Sequence, residues 1–271
     1  TATSTLYFDM FVLLVLLIST FGGGLSQYEF FEADDDVNNV DEMRKLFSSN
    51  GGSTTNIEKY PYAATISLRR DNAYIGTGAV VDRQWILTIA SFILHLNTSD
   101  ILVRIGSSFS DRDGQTYTID KTIVHEAYDG KFENNLALLR LSSLIKFEVA
   151  VEISQVSPRT SVGVLLCGWG AVSIFDNKES ARRIKEGQMF VNELSVCKED
   201  VLGYDISDTN LCASSNNLNT CRFNGGALLL QNGALVGLFI ESPTCLANEH
   251  SVFADVTKMK AWIFNQIKNN G

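Results

Sequence analysis

The sequence predicts an all-β protein that ends in a single α-helix. Three observations carry that expectation. From Ile57 onward, short runs rich in Val, Ile, Leu and aromatic residues alternate with turn residues. No stretch between the runs repeats its apolar positions at helical spacing, and only the end of the chain does. Many short strands without helices between them read as a β-barrel or sandwich. In chain order the runs are 63–68, 78–81, 85–89, 101–105, 136–141, 162–166, 227–230 and 235–240. The helix, near 256–268, rests on Met259, Trp262, Ile263, Gln266 and Ile267, with Lys258, Lys260 and Lys268 at the remaining positions. Apolar residues three and four apart share one helical face.

The chain has 271 residues, 45% hydrophobic and 20% charged, which is ordinary for a globular protein with a sizeable core. Lys and Arg number 22 against 31 Asp and Glu, a formal charge of −9. Without a basic footprint, nucleic-acid binding is not expected. The acid is concentrated. Residues 27–48 hold seven acids and two bases, a net of −5, and Asp9 adds one more, leaving −3 for residues 49–271. The run Asp34-Asp-Asp36 has no His or partner carboxylate at ligand spacing, so it reads as a solvated segment and not as a metal site. No metal and no cofactor are expected.

Residues 11–18 form an apolar run of eight, too short to span a bilayer but suited to the h-region of a signal peptide. Gly24 and Ser26 supply the small residues of a cleavage site, so residues 1–26 are expected to be removed and Gln27 to begin the mature chain. Residues 27–48 then read as an acidic, propeptide-like segment. No other run approaches the length of a membrane span. The mature protein is expected to be secreted and extracellular, where disulfides persist. Its five cysteines are Cys167, Cys197, Cys212, Cys221 and Cys245, an odd number that spacing alone cannot pair. Asn97-Thr-Ser99 is the one Asn-x-Ser/Thr sequon and marks Asn97 for glycosylation.

Seven landmarks then follow in order: Ile57-Glu-Lys-Tyr-Pro-Tyr62, Gly78-Ala-Val-Val81, Trp85-Ile-Leu-Thr88, Asn134-Asn-Leu-Ala-Leu-Leu-Arg-Leu141, Gly168-Trp-Gly170, Gly225-Gly-Ala-Leu228, and Phe253-Ala-Asp-Val256 ahead of Trp262. Their order and intervals resemble the trypsin-like serine proteases, in particular secreted arthropod members, over residues 49–271. The resemblance implies two six-stranded antiparallel β-barrels, near 57–150 and 160–255, with a substrate cleft between them and the helix after them.

It also says where the chemistry should stand. The family needs a His base, an Asp to orient it and a Ser nucleophile. The His position falls on Ser91, whose hydroxyl cannot take up a proton at neutral pH as imidazole does. His95 lies one helical turn on, roughly 5–6 Å away, and reads as a surface residue; His125 and His250 fall outside the catalytic register. The Asp position falls on Asn135. In the Ser-His-Asp template that exchange removes about 10⁴ in rate. Where the family has Gly-Asp-Ser-Gly-Gly after a cysteine, this chain reads Cys221-Arg-Phe-Asn-Gly-Gly226, one residue shorter. Asn224 takes the Asp or the Ser place, and Phe223 takes that of an oxyanion-hole glycine. No Ser, Thr or Cys lies between Cys221 and Leu228, so no acyl intermediate can form on this turn.

The activation and specificity positions differ too. The segment aligned with the family's cleavage junction is Ser48-Ser-Asn-Gly-Gly52, with no basic residue at the cut and no Asp in the receiving loop. Asn219 aligns near the base of the primary pocket, and Ile240, Glu241 and Ser242 replace the strand that pairs with substrate. The resemblance further implies disulfides Cys197–Cys212 and Cys221–Cys245 and leaves Cys167 as a free thiol. Gly76 and Phe92 stand where a third bridge would be. The expected function is that of a secreted, non-catalytic serine protease homologue that binds another secreted protein. The competing expectation is an active serine endopeptidase with a diverged site.

Overall fold

Alternation of buried and exposed side chains builds the first half of the protein. In the computed structural model, which describes residues 52–128, 130–170, 182–200, 206–242 and 250–271, the strands β1 (Ser53–Thr54), β2 (Ala63–Leu68), β3 (Tyr74–Asp82), β4 (Trp85–Thr88), β5 (Ile101–Ile105), β6 (Gln115–Val124) and β7 (Ala137–Leu141) come first. The signal-peptide region 1–26 and the acidic segment 27–48 lie outside the described residues. β2-β3-β4-β7-β6-β5 close into an antiparallel barrel. β5 shows the pattern most clearly: Ile101, Val103 and Ile105 point in, while Leu102 and Arg104 are half-buried. The interior is filled by residues such as Ile66, Ile86, Val103 and Leu139.

The second half repeats the plan. β8 (Gly163–Gly168), β9 (Lys185–Asn192), β10 (Asn210–Ser214), β11 (Leu228–Gln231), β12 (Ala234–Glu241) and β13 (His250–Asp255) run β9-β10-β13-β12-β11-β8, and β8 pairs back onto β9. β1 adds to the outside of β9. Val164, Met189, Phe239 and Phe253 pack inside this barrel. Two closed six-stranded barrels are thus present, as expected, and closure leaves neither with an open edge. A third apolar layer, with Trp85, Leu87, Leu138, Trp169, Leu228, Leu238 and Ile263, joins them to the terminal helix.

Helix α1 (Leu194–Asp200) carries Cys197 to Cys212 on β10, and the two form the expected disulfide. Its 15-residue separation gives a loop whose closure contributes about 3 kcal/mol by the chain-entropy account. Helix α2 spans Lys260–Asn270 and starts later than the spacing predicts. The cause is local. The buried Asp255 carboxylate accepts from the Thr257 N–H at 3.0 Å and its hydroxyl at 2.6 Å, holding 255–257 in a turn. At its other end α2 is tied to the first barrel, where Arg140 Nη1 donates to the Asn270 carbonyl at 2.6 Å. Trp262 donates from Nε1 to Glu126 at 2.7 Å and stacks on His125 at 4.6 Å. Among the described residues, no helix is long and apolar enough to cross a membrane.

Asp255 also accepts from the Ser157 hydroxyl at 2.5 Å, so one carboxylate holds the inter-barrel connection, β13 and the approach to α2. Burial raises its pKa against these hydrogen bonds. Asp255→Ala should therefore cost about 1–3 kcal/mol in urea denaturation, because buried donors lose their acceptor. Asp255→Asn, which keeps a carbonyl oxygen for Thr257, should cost less than half of that. Equal losses would show that the acceptor is not what matters.

Burial holds the His125 imidazole below its ordinary 6.5, while Glu126 pulls weakly the other way. Its Nδ1 accepts the Ala127 N–H at 3.2 Å, as a neutral ring does. Because the folded-state pKa is depressed, this contact's stability is full above pH 6.5 and is lost as the pH falls through the lower folded value. His125→Gln should flatten the stability curve just below pH 6.5. A curve unchanged in urea midpoints measured from neutral to mildly acidic pH would assign the slope to carboxylates.

Candidate functional site

The chain leaves β4 at Ile89 and turns sharply, with the Ile93 and Leu94 N–H groups bonding to the Ala90 carbonyl at 3.0 and 2.9 Å. Ser91 sits exposed on that turn, and His95 lies exposed further along it. The Ser91 N–H donates to Asn135 Oδ1 at 3.0 Å. Asn135 precedes β7, is only 1% exposed, and donates from Nδ2 to the Lys131 carbonyl at 3.4 Å. Both ends of its amide are thus used by backbone. The structure brings Ser91 and Asn135 together at the neighbouring ends of the paired strands β4 and β7, and the link is a structural hydrogen bond without a charge.

The turn 221–226 lies against the same region. A Cβ on Gly225 would be 2.7 Å from Ile89 and 3.4 Å from Phe92, and one on Gly76 would be 2.4 Å from the Phe92 ring. The Phe92 ring therefore fills the gap between β3 and the turn, at the place where the resemblance puts a third bridge. Gly226 has φ +80° and sits so close to Thr77 that a Cβ would lie 2.0 Å from its carbonyl oxygen; only glycine fits.

The turn's polar groups face inward. Asn219 accepts the Cys221 N–H on Oδ1 at 3.1 Å, capping a 3-10 turn over Thr220–Arg222. Phe223 N–H donates to the Thr220 carbonyl at 2.9 Å and Asn224 N–H to the Trp169 carbonyl at 3.0 Å. Gly226 N–H goes to Phe239 at 2.8 Å, and the Gly225 carbonyl accepts from Thr77 at 3.0 Å. Two successive donors of the kind an oxyanion hole requires are thus committed to protein carbonyls. The hydroxyl of buried Thr220 is paired with that of Ser251 at 2.8 Å. The Trp169 carbonyl also accepts from Tyr74 at 3.2 Å. No side-chain motif announces this backbone acceptor, and sequence reasoning did not find it.

On the far wall, Ile240 is half-buried and Glu241 exposed at the end of β12, where the pairing with β13 shifts register between Phe239 and Glu241. Ser242 is buried, and its hydroxyl has no partner among the described residues. Cys221 is engaged in a disulfide; Cys245, its expected partner, lies outside the described residues, as do residues 48–51 of the aligned junction. Cys167 is a free thiol, 0% exposed, and burial raises its pKa well above the ordinary range. A protonated, enclosed thiol is inert. Burial, with Cys167 nearby, likewise pushes Tyr62 up to about 12. Beside them, burial pushes the Glu186 carboxyl up, but hydrogen bonds from Lys59 and Tyr60 outweigh it and hold the group below its usual range. Among the described residues, no cluster of His, Cys, Asp and Glu could hold a metal ion.

A sequence model of the trypsin family matches residues 49–263. A trypsin delta of Drosophila erecta is 28% identical over 220 residues, covering 79% of this chain and 86% of its own. Hypodermin-B of Hypoderma lineatum is 26% identical over 227 residues, covering 81% and 87%. Among solved structures, the scabies mite inactivated protease paralogue S-I1 superposes with a TM-score of 0.72 at 22% identity, covering 82% of this chain and all of its own. Mouse neuropsin does so with a TM-score of 0.69 at 20% identity, covering 80% and 98%.

The Asn135 bond to Ser91 implies a measurable cost. Asn135→Ala should lose about 1–3 kcal/mol, since it leaves the Ser91 N–H without its acceptor. Hydrogen exchange at Ser91 should accelerate in parallel. Exchange that stays slow in the variant would mean that the turn is held by other bonds.

Proposed function

The chain belongs to the trypsin family, and we propose that it is a secreted, non-catalytic member that works by binding another protein. One observation carries this reading. The turn that should bear the nucleophile offers no hydroxyl or thiol, and its Phe223 and Asn224 donors bond to Thr220 and Trp169 instead of facing a cleft. The chemistry would need a nucleophile, a base and an oxyanion site together, and the residues at these positions are Asn224, Ser91 and Phe223. Asn135 completes the set as a neutral amide bonded to backbone. The fold alone decides nothing, since it is shared by proteins named as trypsins and by mite proteins named as inactivated.

What remains usable is surface. Half-buried Ile240 and exposed Glu241 stand at the end of β12, whose Phe239 carbonyl holds the turn through the Gly226 N–H. A protein segment could lie there without being cut. The apolar run at 11–18 supports export, and exposed Asn97 on the turn before β5 is accessible for a glycan. The partner is expected to be another secreted protein.

Purified protein should not label with a fluorophosphonate, nor cleave peptides with Arg, Phe or Ala before the scissile bond. Stoichiometric labelling that one substitution abolishes would establish the competing reading, an active endopeptidase with a diverged site.

A further inference from the structure

We propose that Phe223 is an internal anchor that fixes the 219–226 turn in the intact chain, so that cutting the chain ahead of Gly52 changes neither the turn nor the surface it presents. The proposal concerns the regulation of the same site and rests on the non-catalytic reading above.

The first observation is burial. Phe223 is 3% exposed and belongs to the apolar cluster inside the second barrel, with Leu218, Met189, Leu211 and Phe239. A side chain so placed holds its backbone to the barrel interior. The Phe223 and Asn224 N–H groups take interior carbonyls on either side of it. Side-chain packing and backbone bonding thus favour one conformation of the turn.

The second observation is where the ring ends. A Cβ on Gly52 would lie 3.2 Å from Phe223 Cζ and 2.5 Å from the Glu186 carbonyl, and Gly52 has φ +81°. The entry of the chain into the body is therefore packed directly on the ring. Just beyond it, Ser53 and Thr54 pair with Glu186 and Lys185, and the Thr55 N–H bonds to the Ile184 carbonyl at 2.9 Å. These contacts hold the segment as a strand whether or not a new chain end lies upstream.

The third observation is charge. Residues 219–226 contain no acid, so an amine freed by cutting would meet no carboxylate on this turn. Glu186 stands at the entry, but Lys59 already holds its carboxylate at 2.7 and 2.8 Å, and the Tyr60 hydroxyl bonds to it as well. Apolar packing orders the turn, and packing does not wait for cleavage.

The test uses the full chain with a specific protease site inserted between Ser48 and Ser49, intact and cut. Hydrogen exchange at the Phe223 and Asn224 amides should be the same in both forms, within about twofold, because a closed turn exchanges only by local opening. Phe223→Gly should speed exchange at Asn224 by about tenfold or more without any cut. Since that variant removes a core side chain and can unfold the barrel, Phe223→Leu is measured beside it. It should fold and should speed exchange by about threefold. Protection that rises tenfold on cutting, or that is untouched in Phe223→Leu, would overturn the proposal. Fluorophosphonate labelling of the same samples reads the other claim separately. A labelled protein with unchanged exchange defeats the non-catalytic reading and leaves the anchor standing.

Discussion

Closure of the backbone hydrogen-bond ladders is the constraint on which the rest of this structure depends. Each barrel satisfies its strand donors and acceptors around a ring, so its ladders do not depend on the side chains in the loops at its ends. The seam between the barrels is packed with apolar side chains, Trp85 and Trp169 being fully buried among Leu87, Leu138, Leu228 and Leu238, and a few backbone bonds such as Thr77 N–H to the Gly225 carbonyl cross it. Loops at the rim of that seam can change their chemistry without disturbing a ladder. Ser91, Asn135 and Asn224 all lie in such loops or at the mouth of a strand, and the barrels are intact around them.

Loops still obey the same accounting. A donor no longer aimed at a ligand must find another acceptor or water. Here Ser91 N–H is taken by the Asn135 amide, Asn224 N–H by the Trp169 carbonyl, and Phe223 N–H by the Thr220 carbonyl. The amide of Asn135 suits this task better than a carboxylate would. It accepts from Ser91 and donates to Lys131 at once, and it carries no charge into a site that is almost fully buried. The same economy appears at Phe92, whose ring fills the space beside Gly76 and Gly225.

Much of the fold was legible because burial writes a period into the sequence. The runs 63–68 and 101–105 coincide with β2 and β5, where interior positions are filled by Ile, Val and Ala. β6 escaped notice because Thr116, Thr118 and Asp120 face out and only Tyr117 and Ile119 are buried. β9 begins Lys185-Glu-Gly-Gln188, a stretch with no apolar residue, and its partners on both sides make it a strand. Local pattern cannot report a ladder set by distant neighbours. The site was legible to the extent that its side chains differ from a familiar pattern. The direction of the Phe223 and Asn224 donors was not, because it depends on backbone carbonyls that have no signature in sequence.

That difference bears on the proposed non-catalytic reading. Substituting a nucleophile removes one reacting atom and leaves the binding machinery behind, so a turn with its donors still facing outward would continue to hold an acyl carbonyl. In this chain Phe223 is buried in the core, and its N–H and that of Asn224 bond to protein carbonyls. Electrostatic stabilisation of an oxyanion is usually the largest single contribution to such chemistry, and here the Phe223 and Asn224 donors are taken by the Thr220 and Trp169 carbonyls. Side chains at Ser91 and Asn135 could be exchanged one at a time without touching this arrangement. On the non-catalytic reading proposed above, the weight therefore falls on the backbone of the turn and the apolar side chain it buries, and the polar residues at Ser91 and Asn135 add to it.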